Sequence, residues 1–196
     1  MVSRKIAVVI GVLFFAQMVT FMVGSALIES FLLRDASKAM LVLGVALEMV
    51  SGLAVVTIGV LMYRVLKTVK ASGAVGYPFL RFVEFAVSAV LAVYLLAQLK
   101  EFPNHLLWVY LPTAMGGVLL GYLLWVSRLV PRAIAGLGMI GYGMLLVGVP
   151  LDLAGVLDLN AGAGLVLLVP GGLFEFVFLP IYLIARGFRG QSVAIA

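Results

Sequence analysis

The chain of 196 residues is 65% hydrophobic and 11% charged, with a net charge of +5 and a mean hydropathy of +1.27. These values lie far outside the range of soluble domains and mark an integral membrane protein. Cysteine is absent and His105 is the one histidine, which excludes disulfides, thiolate metal sites, iron–sulfur clusters, cysteine nucleophiles and bis-histidine haem ligation.

A helix crosses the ~30 Å hydrocarbon layer in roughly 20 residues, and six apolar segments meet that requirement. They run approximately from Ile6 to Ile28, Ala39 to Tyr63, Tyr77 to Leu99, Leu107 to Ser127, Ala133 to Leu157 and Gly162 to Ala185. They lack the alternation of polar and apolar residues that a membrane barrel needs. The expected fold is therefore all-α: one domain over residues 1–196, a bundle of six transmembrane helices with short loops and no soluble domain.

The first segment follows Met1-Val2-Ser3-Arg4-Lys5 and resembles a signal peptide ending near Gly24-Ser25-Ala26. Its apolar core exceeds the roughly 7–15 residues of a signal-peptide core, so an uncleaved helix is expected. In the second segment Glu48, Gly52 and Gly59 share one face, expected to pack inward. The basic stretch from Arg64 to Gly76, with Ser72-Gly73, reads as a flexible turn. In the third, Arg81 and Glu84 stand three apart and can pair, on a stripe continuing through Ser88, Leu91, Leu95 and Gln98. Arg81 has the weakest claim to the interior, because only ~6 Å of rise separates it from Tyr77 and it can snorkel to the interface.

His105, beside Asn104 and Glu101, reads as a solvated loop residue, with a pH sensor as the alternative. Trp108 and Tyr110 open the fourth segment and Tyr122 and Trp125 close it, a separation of ~25 Å that suits anchoring at two interfaces. The fifth contains Gly136-Leu137-Gly138-Met139-Ile140-Gly141, a literal match to the dinucleotide fingerprint, but no strand precedes it. The recurrence of Gly141, Gly148 and Gly155, and the pair Gly117 and Gly121, are expected to serve close helix packing. Asp152, after Pro150, reads as an ordinary interfacial acid or as part of an outer vestibule. In the sixth segment Pro170-Gly171-Gly172 precedes Glu175; proline removes a backbone donor, so the helix is expected to bend or loosen there.

With the N-terminus in the cytoplasm, Arg4, Lys5, Arg64, Lys67, Lys70, Arg128, Arg132, Arg186 and Arg189 lie inside, against Arg34, Lys38 and Lys100 outside. Nine against three decides the orientation. The acids Glu29, Asp35, Glu101, Asp152 and Asp158 all fall outside, and both termini are expected in the cytoplasm.

Four ionisable residues then lie within spans: Glu48, Arg81, Glu84 and Glu175. A charge at the bilayer centre costs about 2.5–3.5 kcal/mol on insertion scales, so these side chains are expected to converge on an interior built by spans two, three and six. Three acids against one base leave a surplus of negative charge, relieved by protonation, by a bound cation, by Arg64 or Arg186 folding inward, or by water. The alternative is a self-satisfied network that only holds helices in register. No lysine lies within a span, which argues against a retinal Schiff base, and nine scattered methionines give no copper path.

Leu47-Glu48, Arg81-Phe82-Val83-Glu84, Ser127-Arg128-Leu129-Val130-Pro131-Arg132, Pro170-Gly171-Gly172-Leu173-Phe174-Glu175 and the closing Arg186-Gly187-Phe188 together resemble a prokaryotic membrane family classed as domain of unknown function 4386. The resemblance extends over nearly the whole chain. It implies a six-helix fold in a prokaryotic cell membrane and carries no activity.

The sequence thus points to a multi-pass membrane protein that binds or transports a small solute, proton or cation. The candidate residues are Glu48, Arg81, Glu84 and Glu175, with Ser88, Gln98 and Asp152 secondary. No catalytic residue, metal site or cofactor is expected. The alternative is a non-catalytic accessory subunit of a larger membrane complex. Expected partners are membrane lipid, a small solute or cation, and a larger complex or a second copy of the chain, with no nucleic acid. An enzyme acting on a lipid has too little support: there is no nucleophile–base pair and no pyrophosphate motif.

Overall fold

A computed structural model describes residues 4–34, 37–67 and 71–189; Asp35 and Lys70 lie outside them. The elements are α1 (Arg4–Arg34), α2 (Lys38–Leu66), a single turn α3 (Ala71–Ala74), α4 (Gly76–Gln98), α5 (His105–Ser127) and α6 (Arg132–Leu153). A composite sixth span follows: a 3₁₀ stretch over Gly162–Leu167, α7 (Val169–Gly172), a π turn over Leu173–Phe178 and α8 (Leu179–Arg186). Six helices are long and apolar enough to cross a membrane, and the described residues contain no strand. This is a multi-pass membrane bundle. Bilayer-spanning helices must satisfy their own backbone, and side chains such as Phe79, Phe82, Val90 and Val93 can then stay exposed on the outer surface, where lipid replaces water.

The ends follow from local chemistry. Leu99 and Arg128 adopt left-handed backbone (φ 54 and 56) just past α4 and α5, each donating its N–H to the carbonyl four residues back. Pro131 opens α6, its carbonyl accepting from Ile134 and Ala135. The basic loop contains the turn α3. One expectation changes here. Gly155, read as a packing glycine, stands past α6 at φ +71 with nothing within 4 Å of a Cβ, so it ends the helix.

The spans form a ring in chain order. Each packs on its sequence neighbours, and α8 and the π turn pack on α1 to close the circle. Small residues set the approach. A Cβ on Gly24 or on Gly44 would stand 2.8 Å from the other's carbonyl oxygen, Gly117 lies against the Tyr142 ring, and Gly141 against the backbone of Gly171. At the end carrying Arg4, Leu66, Gly76 and Arg186 the interior is filled by Ile10, Phe14, Met62, Leu66, Leu120 and Leu124, all buried. Toward the α4–α5 loop the core continues through Leu107, Leu145, Val149 and Leu159. Ile28, Leu41, Val45, Ala92 and Leu95 form a separate cluster among α1, α2 and α4, and a pair of cavities, each partly open to the surface, lies between the helices.

Candidate functional site

Arg81, early in α4, crosses the middle of the ring. Gly59 of α2 makes room for it: a Cβ there would stand 3.2 Å from Arg81 Cβ and 3.1 Å from Pro78 Cα. Its side chain is 2% exposed, so it does not snorkel. Tyr77, one turn earlier, lies under the guanidinium at 5.1 Å from ring centroid to Cζ, and its hydroxyl accepts from Arg81 Nε at 3.0 Å. Nη1 donates to Glu84 Oε2 at 2.7 Å and Nη2 to Glu175 Oε1 at 3.4 Å. The weakest candidate in the sequence is the hub of the site, because among the described residues it is the one cation paired with two acids.

Glu175 sits in the π turn between Pro170 and Pro180, where the Leu179 N–H reaches back five residues to the Phe174 carbonyl. Proline at 180 cannot donate, and the widened turn absorbs the loss. The loosening expected at Pro170 is present, with 3₁₀ backbone before it and π backbone after it. Gln17 Nε2 of α1 donates to Glu175 Oε1 at 3.0 Å, and Ser51 Oγ of α2 holds the Gln17 carbonyl at 2.9 Å. Glu48 stands apart from the triad, its Oε1 accepting from Ser25 Oγ at 2.8 Å.

Each carboxylate is thus tethered by one oxygen. Glu48 Oε2, Glu84 Oε1 and Glu175 Oε2 accept no hydrogen bond among the described residues. Gln17 Oε1 is the only sealed, unpartnered side-chain polar atom among those residues, so the three free oxygens reach open space. Glu48 and Glu84 share a cavity of about 90 Å³ with Ser51 and Ser88; Glu175 lines a second of about 190 Å³. Phe21 of α1 borders both.

The other candidates fall elsewhere. Ser88 lines the smaller cavity and donates to the Glu84 carbonyl at 3.0 Å. Gln98 is exposed at the far end of α4. Asp152 Oδ2 accepts the Leu159 N–H at 2.6 Å and staples the loop after α6. His105 opens α5 with Nδ1 3.7 Å from Glu101 Oε2, remote from the triad. Gly171 and Gly172 line the larger cavity. Gln17, Ser25, Ser51 and Tyr77 were missed as site residues. The signal was present: the first three are polar side chains inside otherwise apolar spans, and the polar interior draws on span one as well as on two, three and six.

No group of three or more His, Asp or Glu among the described residues is arranged to hold a metal ion. The site offers one guanidinium, two acids bridged by it and a third nearby, and so can exchange a proton or hold a small positive charge. A family profile described as domain of unknown function (DUF4386) matches residues 89–187. The chain belongs to this family. The match contains Ser127 to Arg132 and Pro170 to Glu175, and leaves Glu48, Arg81 and Glu84 outside it, a narrower reach than the resemblance suggested. No curated protein and no solved structure matches the chain.

Proposed function

We propose that the protein binds, and carries across a prokaryotic cell membrane, a proton or small cation. Glu84 and Glu175 are the exchanging groups, Arg81 holds them apart, and Glu48 guards the smaller cavity. One observation carries this reading: two carboxylates share a single guanidinium, each has one oxygen without a hydrogen-bond partner among the described residues, and each residue lines a cavity. Two acids and one base leave one negative charge for a mobile cation to neutralise. The cavities, about 90 and 190 Å³, fall below the roughly 300–1,000 Å³ of drug-sized sites, which favours a small species. The excess of basic residues at the filled end supports cytoplasmic termini, and the opposite half then faces outward to receive the solute.

In proteoliposomes, Glu175→Gln and Glu84→Gln are expected to lower cation or proton flux at least about tenfold, the scale of losing one charge partner. Flux, binding and pH response unchanged in both variants would remove the proposal.

A second reading, a non-catalytic accessory subunit, draws on α4. Its apolar window is the least buried of the six spans, at 17%, and shows Phe79, Phe82, Val90 and Val93 outward. Cross-linking from Val93 that captures a partner, together with unaltered flux, would favour it.

A further inference from the structure

The two cavities differ in kind. The smaller gathers two carboxylates and two serines. The larger is walled by Phe21, Tyr110, Tyr142 and Phe176, four aromatic side chains drawn from spans one, four, five and six, around Glu175. We infer that this larger cavity is the seat of a monovalent organic ammonium ion, a small cation with an apolar shell. The inference rests on the cation-binding reading above and narrows it.

Three quantities favour this ligand over a metal ion. The cavity is about 190 Å³, and an apolar cavity of about 150 Å³ takes benzene, so an ion of about five to eight non-hydrogen atoms fits. Arg81 against Glu84 and Glu175 leaves one unit of negative charge, which matches one positive charge. Acceptors are too few for a bare ion, since hard cations take about 6–8 oxygens. The side-chain oxygens of the lining residues are the two of Glu175 and the hydroxyls of Tyr110, Thr113 and Tyr142, five in all, and two of those hydroxyls are oriented by donating to the Val109 carbonyl at 2.8 Å and to Asn160 Oδ1 at 3.3 Å. An alkylammonium ion needs little hydration replaced and gains from aromatic walls, where each desolvated ring contributes about 0.5–2 kcal/mol.

The experiment uses the full chain in lipid nanodiscs, titrated calorimetrically with tetramethylammonium and separately with potassium. Saturable tetramethylammonium binding is expected, weakened about 3- to 30-fold in Phe176→Leu and in Tyr110→Leu and at least about tenfold in Glu175→Gln. Phe79→Leu, on the outer surface of α4, is expected to change it less than about twofold. Absence of saturable binding by the folded wild type overturns the inference, as does binding indifferent to both Phe176→Leu and Tyr110→Leu, or displacement by an equal concentration of potassium. If any of these occurs while Glu175-dependent proton or potassium flux persists, the inference fails and the proposed function stands. If tetramethylammonium binds as expected and no cation is carried, the inference stands and the transport reading fails.

Discussion

The half of the ring at the basic end and the half toward the α4–α5 loop are built from the same apolar residue types, yet they solve different problems. The first packs Ile10, Phe14, Met62, Leu66, Leu120 and Leu124 into one buried mass beneath Tyr77 and Arg81. The second divides its apolar contacts between the far end of that core, at Leu107, Val149 and Leu159, and a separate cluster, and carries two partly open cavities, each faced by acid. Between lipid-solvated helices there is little hydrophobic drive to associate, so packing and polar contacts decide which half is tight. The closed half fixes the geometry of Arg81; the open half leaves carboxylate oxygens to act.

The largest expected effect breaks that division at its seam. Arg81→Met leaves Glu84 and Glu175 facing each other without a cation, and is expected to destabilise the bundle by about 3–5 kcal/mol, read by thermal unfolding in detergent. Next, Phe14→Ala opens a void in the closed half, expected at about 3–5 kcal/mol in the same assay, whereas Val109→Ala, beside an existing cavity, is expected below about 1 kcal/mol. Equal losses at the two positions would erase the contrast. Gly117→Ala drives a methyl into the Tyr142 ring and is expected at about 1–3 kcal/mol. The smallest effect sharpens the comparison. Ser25→Ala removes the tether on Glu48 and is expected to shift stability by only about 0.6 kcal/mol, the average for hydrogen bonds between membrane helices.

The six helices and the meeting of Arg81 with Glu84 were legible in the sequence, because the length of an apolar run and a spacing of three residues are local quantities. The break at Pro170 was legible for the same reason: a missing N–H acts on its own helix. The depth of Arg81 was not, since snorkelling and burial depend on whether a neighbouring helix supplies an acid 94 residues away. The ring order was hidden too. Lipid and interior are both apolar, so hydropathy does not tell the outer face of α4 from its inner one. Gln17 and Ser25 were visible as polar residues in an oily span, but nothing in their spacing names Glu175 or Glu48 as their partners. The bond from the Leu159 N–H to Asp152 was hidden as well, since loop folding alone makes it.

Ring closure has a consequence for biogenesis. Synthesis proceeds at about 5–20 residues per second, so Arg81 is made roughly 5–20 s before Glu175, 94 residues downstream. Through that interval Glu84 is its only carboxylate partner, and α1 has no Glu175 to receive the Gln17 amide. The sixth span therefore completes the charge network, and nascent chains truncated before Pro170 would be left with an unfinished polar seam for quality-control proteases to recognise.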